Sequence, residues 1–264
     1  MKRSANNYEK IDTSGNAAHW VKLMHLFPEK FPETHITRQT MIDWVLEKPG
    51  GRVLDAGCGT GETTRQLAEN LPANTEIIGM DFSDAMLDFA RDQPNPSNIT
   101  YQQGDIRHLP FPDAHFDVVR IERVLHHVKE AKQAFADIAR VLKPGGRLVI
   151  NEPDFTACRM APLSFDLNIA YNIHYNRTMA YGHIGGELHA LAQDVGLTRI
   201  HHNSLHYFGR DYAWLDEVFN GIDLLREVLT EQNNMAFMQT VEHAAQQGTF
   251  YWAPCFFNLC AEKA

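Results

Sequence analysis

The stretch Val53-Leu-Asp-Ala-Gly-Cys-Gly-Thr-Gly61 constrains what this chain can fold into more than any other part of it. A short apolar run ends on alternating glycines, and a helical pattern, Glu62 to Leu71, begins at once and stops at Pro72. Glycine lets a chain turn sharply and approach a ligand closely, so the stretch reads as strand, loop and helix. The same alternation continues. Glu76 to Met80 is a second apolar run, and Asp84 to Arg91 a second helix with Ser83 or Asp84 as its N-cap. Ile99 to Gln102 and Phe116 to Ile121 are further strand candidates. Glu130 to Leu142 is helical, ends at Lys143-Pro-Gly-Gly146, and leads to a strand over Arg147 to Ile150. Strands alternating with helices of about 10 residues predict a largely parallel, doubly wound α/β sheet with helices on both faces.

After Asn151 the pattern changes. Asp154 to Tyr181 lacks strand alternation and reads as irregular helix, and Gly185 to Val195 as a helix closed by Gly196. Thr198 to Phe208 reads as a strand, Tyr212 to Gln246 as two helices, and Thr249 to Cys260 as the last strand. The expected organisation is a helical segment over residues 1–48, with Thr37 to Leu46 its clearest piece. A sheet domain over 49–264 follows, with helical lid insertions at about 155–184 and 211–247.

Composition narrows the partners. Lys+Arg is 24 and Asp+Glu 33, a net charge of −9, and such a field repels phosphate backbones and anionic membranes. Fourteen histidines soften that field only below about pH 6.5. Nothing approaches the run of about 18 apolar residues that a membrane span needs. Met1 to Lys10 is polar, without the apolar core of a leader. Cys58, Cys158, Cys255 and Cys260 form no CxxC pair, which fits a cytoplasmic protein with reduced thiols.

The loop spacing is G-x-G-x-G. A dinucleotide fingerprint needs glycine at 62, where this chain has Glu62. An acid at a helix start is a poor neighbour for a pyrophosphate and a tolerable one for a cationic ligand. With this loop, Gly79-Met-Asp-Phe-Ser83, Gly104-Asp105-Ile106, His108-Leu-Pro-Phe-Pro-Asp113 and Val141-Leu-Lys-Pro-Gly-Gly-Arg-Leu148, residues 50–152 resemble the Rossmann-like (class I) S-adenosylmethionine-dependent methyltransferases, of the ubiquinone/menaquinone-biosynthesis-like small-molecule type. The resemblance implies a mostly parallel seven-stranded sheet with an antiparallel last strand. It implies S-adenosylmethionine as cofactor, with Gly57, Cys58, Gly59 and Gly61 against its methionine part and Asp55 at its amino end. It also implies Asp81 on both ribose hydroxyls, and the turn Gly104, Asp105 and Ile106 at the adenine, with Asp105 accepting from the exocyclic amine. Phe82 and Met86 either flank the adenine or belong to the core.

Ligands of such sheets sit beyond the carboxyl ends of the strands, which singles out Arg120, Glu122, His126, His127, Glu152 and Asp154. Glu122 is assigned to the cofactor. His127 or His126 is the candidate general base for an acceptor that must lose a proton. The i,i+4 pair Glu122/His126 reads as a helix-face hydrogen bond, and no metal is expected. An Asn/Asp-Pro-Pro-aromatic step, which marks the family's amino-methylating nucleic-acid and glutamine enzymes, is replaced by Arg120-Ile-Glu-Arg123. The expected acceptor is therefore a small, hydrophobic or aromatic molecule, methylated on oxygen in preference to carbon or nitrogen. Aromatics of the insertions read as a lid or as a self-packed cap. Glu152, Tyr171, Tyr175, Arg177 and His183 are the substrate candidates, with His174 beside them. The alternatives are a non-methylating enzyme that binds the same cofactor and a non-catalytic partner protein. Oligomeric state stays open, a homodimer through the aromatic last strand being one reading.

Overall fold

The computed structural model describes residues 12, 17–48, 51–232 and 234–264. The polar start, Met1 to Lys10, lies outside the described residues. Helices α1 (Ala17–Lys30) and α2 (Glu33–Leu46) precede the alternating section. That section runs β1 (Arg52–Ala56), α3 (Glu62–Asn70), β2 (Glu76–Asp81), α4 (Asp84–Asp92), β3 (Ile99–Gln103), β4 (Phe116–Glu122), α5 (Ala131–Val141) and β5 (Leu142–Ala161). Then come α6 (Phe165–Asn176), α7 (Ile184–Asp194), β6 (Leu197–His206), α8 (Tyr212–Phe219), α9 (Gly221–Glu231), α10 (Phe237–Gln246) and β7 (Tyr251–Lys263). The seven strands form one sheet in the order β3-β2-β1-β4-β5-β7-β6. The β3-β2-β1-β4-β5 neighbours pair in parallel, and β7 runs antiparallel to both β5 and β6.

The pleat explains why helices cover both faces. Successive side chains of a strand point to opposite sides. Leu54, Val119 and Ile150 accordingly face Phe135 and Ile138 of α5 and Leu188 of α7. Their neighbours Val53, Val118 and Val149 face Met41, Ile42 and Val45 of α2 and Leu67 of α3. All six strand residues are fully buried, each contributing about 1.5–3 kcal/mol. Ser83 caps α4 as expected, its hydroxyl accepting from Met86 N at 3.3 Å.

Beyond residue 150 the chain departs from the sequence reading. The Asp154–Tyr181 stretch begins as strand, because β5 continues to Ala161 and resumes pairing with β7 at Arg159↔Ala253. The Tyr212–Gln246 stretch holds three helices, not two. Asn220 turns left-handed (φ 53°), closing α8 and opening α9, a conformation asparagine tolerates better than most residues. Helices α6, α8, α9 and α10 pack into an aromatic cap with Phe27 of α1 and Phe31 just beyond it.

Candidate active site

A cavity of about 450 Å³ opens at the carboxyl ends of β1, β2, β4 and β5. One end is built by the glycine loop, the end of β2 and the turn after β3, through Gly57, Gly59, Asp81, Phe82, Met86, Gly104, Asp105 and Ile106. The other end is apolar, with Phe27, Phe155, Phe219, Trp252 and Phe256. Glu122, Arg123, His126 and His127 also line it.

Asp81 accepts from Gly59 N at 2.8 Å on one carboxylate oxygen and from Ser83 N at 2.9 Å on the other, and the Phe82 amide also favours its ionised form. A carboxylate has about four acceptor positions, so capacity remains for a donor from the cavity. Burial raises its carboxyl above the usual range, against the backbone donors. A pair of adjacent hydroxyls suits this group. Gly57 sits at φ 77°, and a Cβ there would come within 2.2 Å of Val124 Cγ2, so only glycine leaves the loop in place. Met24 of α1 lies across Gly59, its Cε 2.5 Å from where a Cβ would be. Asp105 borders the cavity, but its carboxylate is clasped by Arg107, Nε to Oδ1 at 2.9 Å and Nη2 to Oδ2 at 2.6 Å. Those bonds hold it below the usual range. Its expected bond to an adenine amine would share oxygens that Arg107 already occupies.

Three loop residues lie off the wall of this cavity. Asp55 is fully buried and does not border the cavity. It accepts from Thr64 Oγ1 at 2.6 Å and Arg120 Nη1 at 2.6 Å. Cys58 borders only a smaller recess behind the loop, and burial pushes its thiol well up. Gly61 serves as the left-handed N-cap of α3 (φ 70°), against Tyr101. Arg120 is not a site residue of the kind expected either. It bridges Asp55 to Glu122, which Arg38 Nε also contacts at 3.2 Å while Arg38 Nη1 reaches Glu62 at 3.2 Å. Burial alone would raise Glu122, but Arg38, Arg120 and Arg123 outweigh it and hold it well below the usual range.

His126 and His127 stand in one 3-10 turn, Leu125–His127, just beyond β4. Glu152 lies behind that turn, fully buried and off the cavity wall, where it supports the turn instead of facing an acceptor. It accepts from Val124 N at 2.7 Å, Leu125 N at 2.6 Å and His126 N at 3.3 Å, and His126 Nδ1 is 2.8 Å from Oε2. His126 therefore pairs with Glu152, not with Glu122 as its spacing suggested. Its Nε2 has no partner among the described residues. Burial pushes Glu152 up to about 7 despite the three backbone donors. Burial, with Arg123, pulls His126 down to about 3 and His127 well below its usual value.

The remaining substrate candidates are elsewhere. Tyr171 and Tyr175 stack on each other in the cap interior, 5.8 Å between centroids and all but fully buried. Arg177 is exposed at the end of α6, and His183 at the start of α7 faces Glu187 at 3.3 Å. None of the four borders the cavity. His174 pairs with Glu227 at 2.9 Å, and Asp154 anchors Gly186 N at 2.9 Å. Sequence reasoning missed Arg38, Arg123 and the α1 residues Trp20, Leu23, Met24 and Phe27. Only the apolar spacing of those last four hinted at a buried face.

The sheet order, the glycine loop and the acid closing β2 are the features expected of class I S-adenosylmethionine-dependent methyltransferases, and the family match falls on the segment that holds them. Residues 54–150 match the family described as "Methyltransferase domain". Among curated proteins, the chain is 37% identical over 161 residues to an uncharacterised 37.1 kDa protein of a Streptomyces fradiae transposon, covering 60% of this chain and 47% of that one. It is 42% identical over 109 residues to the ubiquinone/menaquinone biosynthesis C-methyltransferase UbiE of Ectopseudomonas mendocina, covering 40% and 43%. The chain thus spans about half the length of the curated relatives it matches. Among solved structures, the YcgJ protein of Bacillus subtilis superposes over 87% of this chain and 98% of its own, with a TM-score of 0.65 at 22% identity. A Haemonchus contortus phosphoethanolamine N-methyltransferase 2, in complex with S-adenosylmethionine, does so over 82% and 49%, at 0.51 and 23%. These last two likenesses are of fold. Among the described residues, no helix is long and apolar enough to cross a membrane.

Proposed function

We propose that this protein transfers a methyl group from S-adenosylmethionine to a small apolar or aromatic acceptor held at the aromatic end of the cavity. One observation carries the reading. A single cavity joins the glycine loop and Asp81 to an aromatic chamber, with His126 among the residues that line it. The residues fit the cofactor: Gly57 and Gly59 present bare backbone to the cavity, and Asp81, with acceptor capacity left, suits ribose hydroxyls. When bound, S-adenosylmethionine supplies an electrophilic methyl on a sulfonium.

The chain's own contribution is positioning, exclusion of water and a base. Phe27, Phe155, Phe219, Trp252 and Phe256 keep water from the acceptor. An ionised Glu152 can only accept, which fixes the proton on His126 Nδ1 and leaves Nε2 to take one from the acceptor. Glu152 is thus a positioning residue, and His126, a weak base with its pKa pulled down to about 3, serves acceptors whose own proton is acidic. Sequence alone favoured oxygen as the methylated atom. The relatives named C-methyltransferases support carbon instead. The net charge of −9 supports a small molecule over nucleic acid, and four unpaired, buried cysteines support the cytoplasm. The test is release of S-adenosylhomocysteine on incubation with S-adenosylmethionine and a panel of phenolic and quinol-like acceptors. Mass spectrometry of the product then locates the new methyl. Tight cofactor binding with no turnover on any aromatic acceptor would sink the reading.

A further inference from the structure

Arg123 is a cavity cation that the scheme above leaves unused. It follows β4 at φ 57°, a left-handed conformation that glycine or asparagine adopts more cheaply, and its backbone N is fixed to Asn151 O at 2.8 Å. The guanidinium carbon lies 4.0 Å from the centroid of the Phe27 ring. Its Nε is buried and 3.5 Å from Glu122 Oε1, too far for a good hydrogen bond. Among the described residues the guanidinium makes no hydrogen bond at all. The neighbouring arginines are engaged: Arg38 with Glu122 and Glu62, Arg120 with Asp55 and Glu122, Arg107 with Asp105 and Glu130. Buried donors are nearly always satisfied, so a guanidinium that faces a cavity with a long ion-pair contact to Glu122 and a stack on Phe27 but no hydrogen bond calls for an anionic ligand. Phe27, on which it stacks, also contacts Phe219 and Phe256 of the aromatic end. With burial, Arg123 also helps keep His126 and His127 neutral.

We propose that Arg123 binds an oxyanion of the acceptor, so that the substrate class is a phenol- or enol-type molecule held in its ionised form. The inference rests on the methyltransferase reading. The acceptor's O–H bond breaks, its proton passes to His126 Nε2, and the electron pair stays on the oxygen, which accepts from the guanidinium. The cofactor's methionine carboxylate is an oxyanion too, and Arg123 also borders the smaller recess behind the glycine loop. The experiment therefore separates the two sources.

The probe is 4-nitrophenol, whose phenolate absorbs visible light, titrated into protein with and without saturating S-adenosylhomocysteine. Wild type should bind the phenolate about ten- to a hundredfold more tightly than the phenol, the worth of one hydrogen bond to a charged group. Arg123→Gln should lose that preference and keep its affinity for S-adenosylhomocysteine. Arg123→Asn, which suits the left-handed backbone, should behave alike and guards against a folding defect in the first variant. Absence of a spectral shift in wild type, or an unchanged preference in both variants, overturns the proposal. Variants that lose S-adenosylhomocysteine while binding methylthioadenosine, which lacks the carboxylate, overturn it in favour of the cofactor. If folded wild type fails to bind S-adenosylhomocysteine, the methyltransferase reading falls, and the titration without it still reports on Arg123.

Discussion

Replacing Glu152 by glutamine reverses one hydrogen bond while keeping size and shape. In the wild type an ionised carboxylate faces His126 Nδ1 at 2.8 Å and accepts from it, leaving Nε2 basic. In the Glu152→Gln variant the side-chain carbonyl can still accept from Val124 N and Leu125 N, but the amide nitrogen then donates to Nδ1. The imidazole proton moves to Nε2 and the base is lost, at a cost of about 10²–10⁴ in kcat, or about 3–5 kcal/mol in the barrier. Cofactor affinity should not change. Protonating Glu152 does what the substitution does, and burial pushes its pKa up to about 7. Wild-type kcat should therefore climb as pH rises through about 7, and the variant's should be low and flat. Stability runs the other way. The folded pKa lies above the usual 4.5, so this group's contribution is fully present below about 4.5 and is lost as pH rises to about 7. The loss totals about 3 kcal/mol, and the variant should lack that slope. The assay is S-adenosylhomocysteine release at saturating cofactor from weakly acid to weakly alkaline pH, with urea unfolding alongside. A folded Glu152→Gln protein with wild-type kcat and pH profile would refute the argument.

Asp81→Ala should weaken S-adenosylmethionine binding by about 1–3 kcal/mol, read by calorimetry, with the fold intact; unchanged affinity would reduce Asp81 to a support for the loop. Arg120→Met leaves Asp55 and Glu122 buried without their shared partner and should cost about 3–5 kcal/mol in urea unfolding. A cost under about 1 kcal/mol would mean the pair is solvated, like a surface bridge. Gly57→Ala forces a Cβ against Val124 at a positive φ and should weaken the cofactor about tenfold or more, roughly 1.4 kcal/mol upward. Wild-type affinity in that variant would mean the loop adapts.

That the glycine loop and Asp81 meet was legible because they follow directly from strand ends: once β1 and β2 are placed, Gly57, Gly59 and Asp81 must come together at one edge of the sheet. Asp55 was misplaced because its partner is visible only in register. Arg120 lies directly opposite it in the parallel β1–β4 pairing, and no spacing along the chain records that. The cap was illegible for another reason. Helix α6 is apolar on two sides, exposing Phe165, Ile169 and Ile173 while burying Tyr171 and Tyr175. Periodicity therefore could not choose its inner face. Glu152 carried a signal, an acid at a strand end, but only the structure turns it from a substrate contact into the support of His126. Helix α1 reaches the site from far along the chain, so Phe27 and Met24 could be assigned only by tertiary packing.

The most direct test of the account is calorimetric titration of the purified protein with S-adenosylmethionine, with NAD in parallel. The account predicts binding of about micromolar strength, near 8 kcal/mol, for S-adenosylmethionine and none for NAD. A folded sample that takes up NAD, or neither ligand, would contradict it.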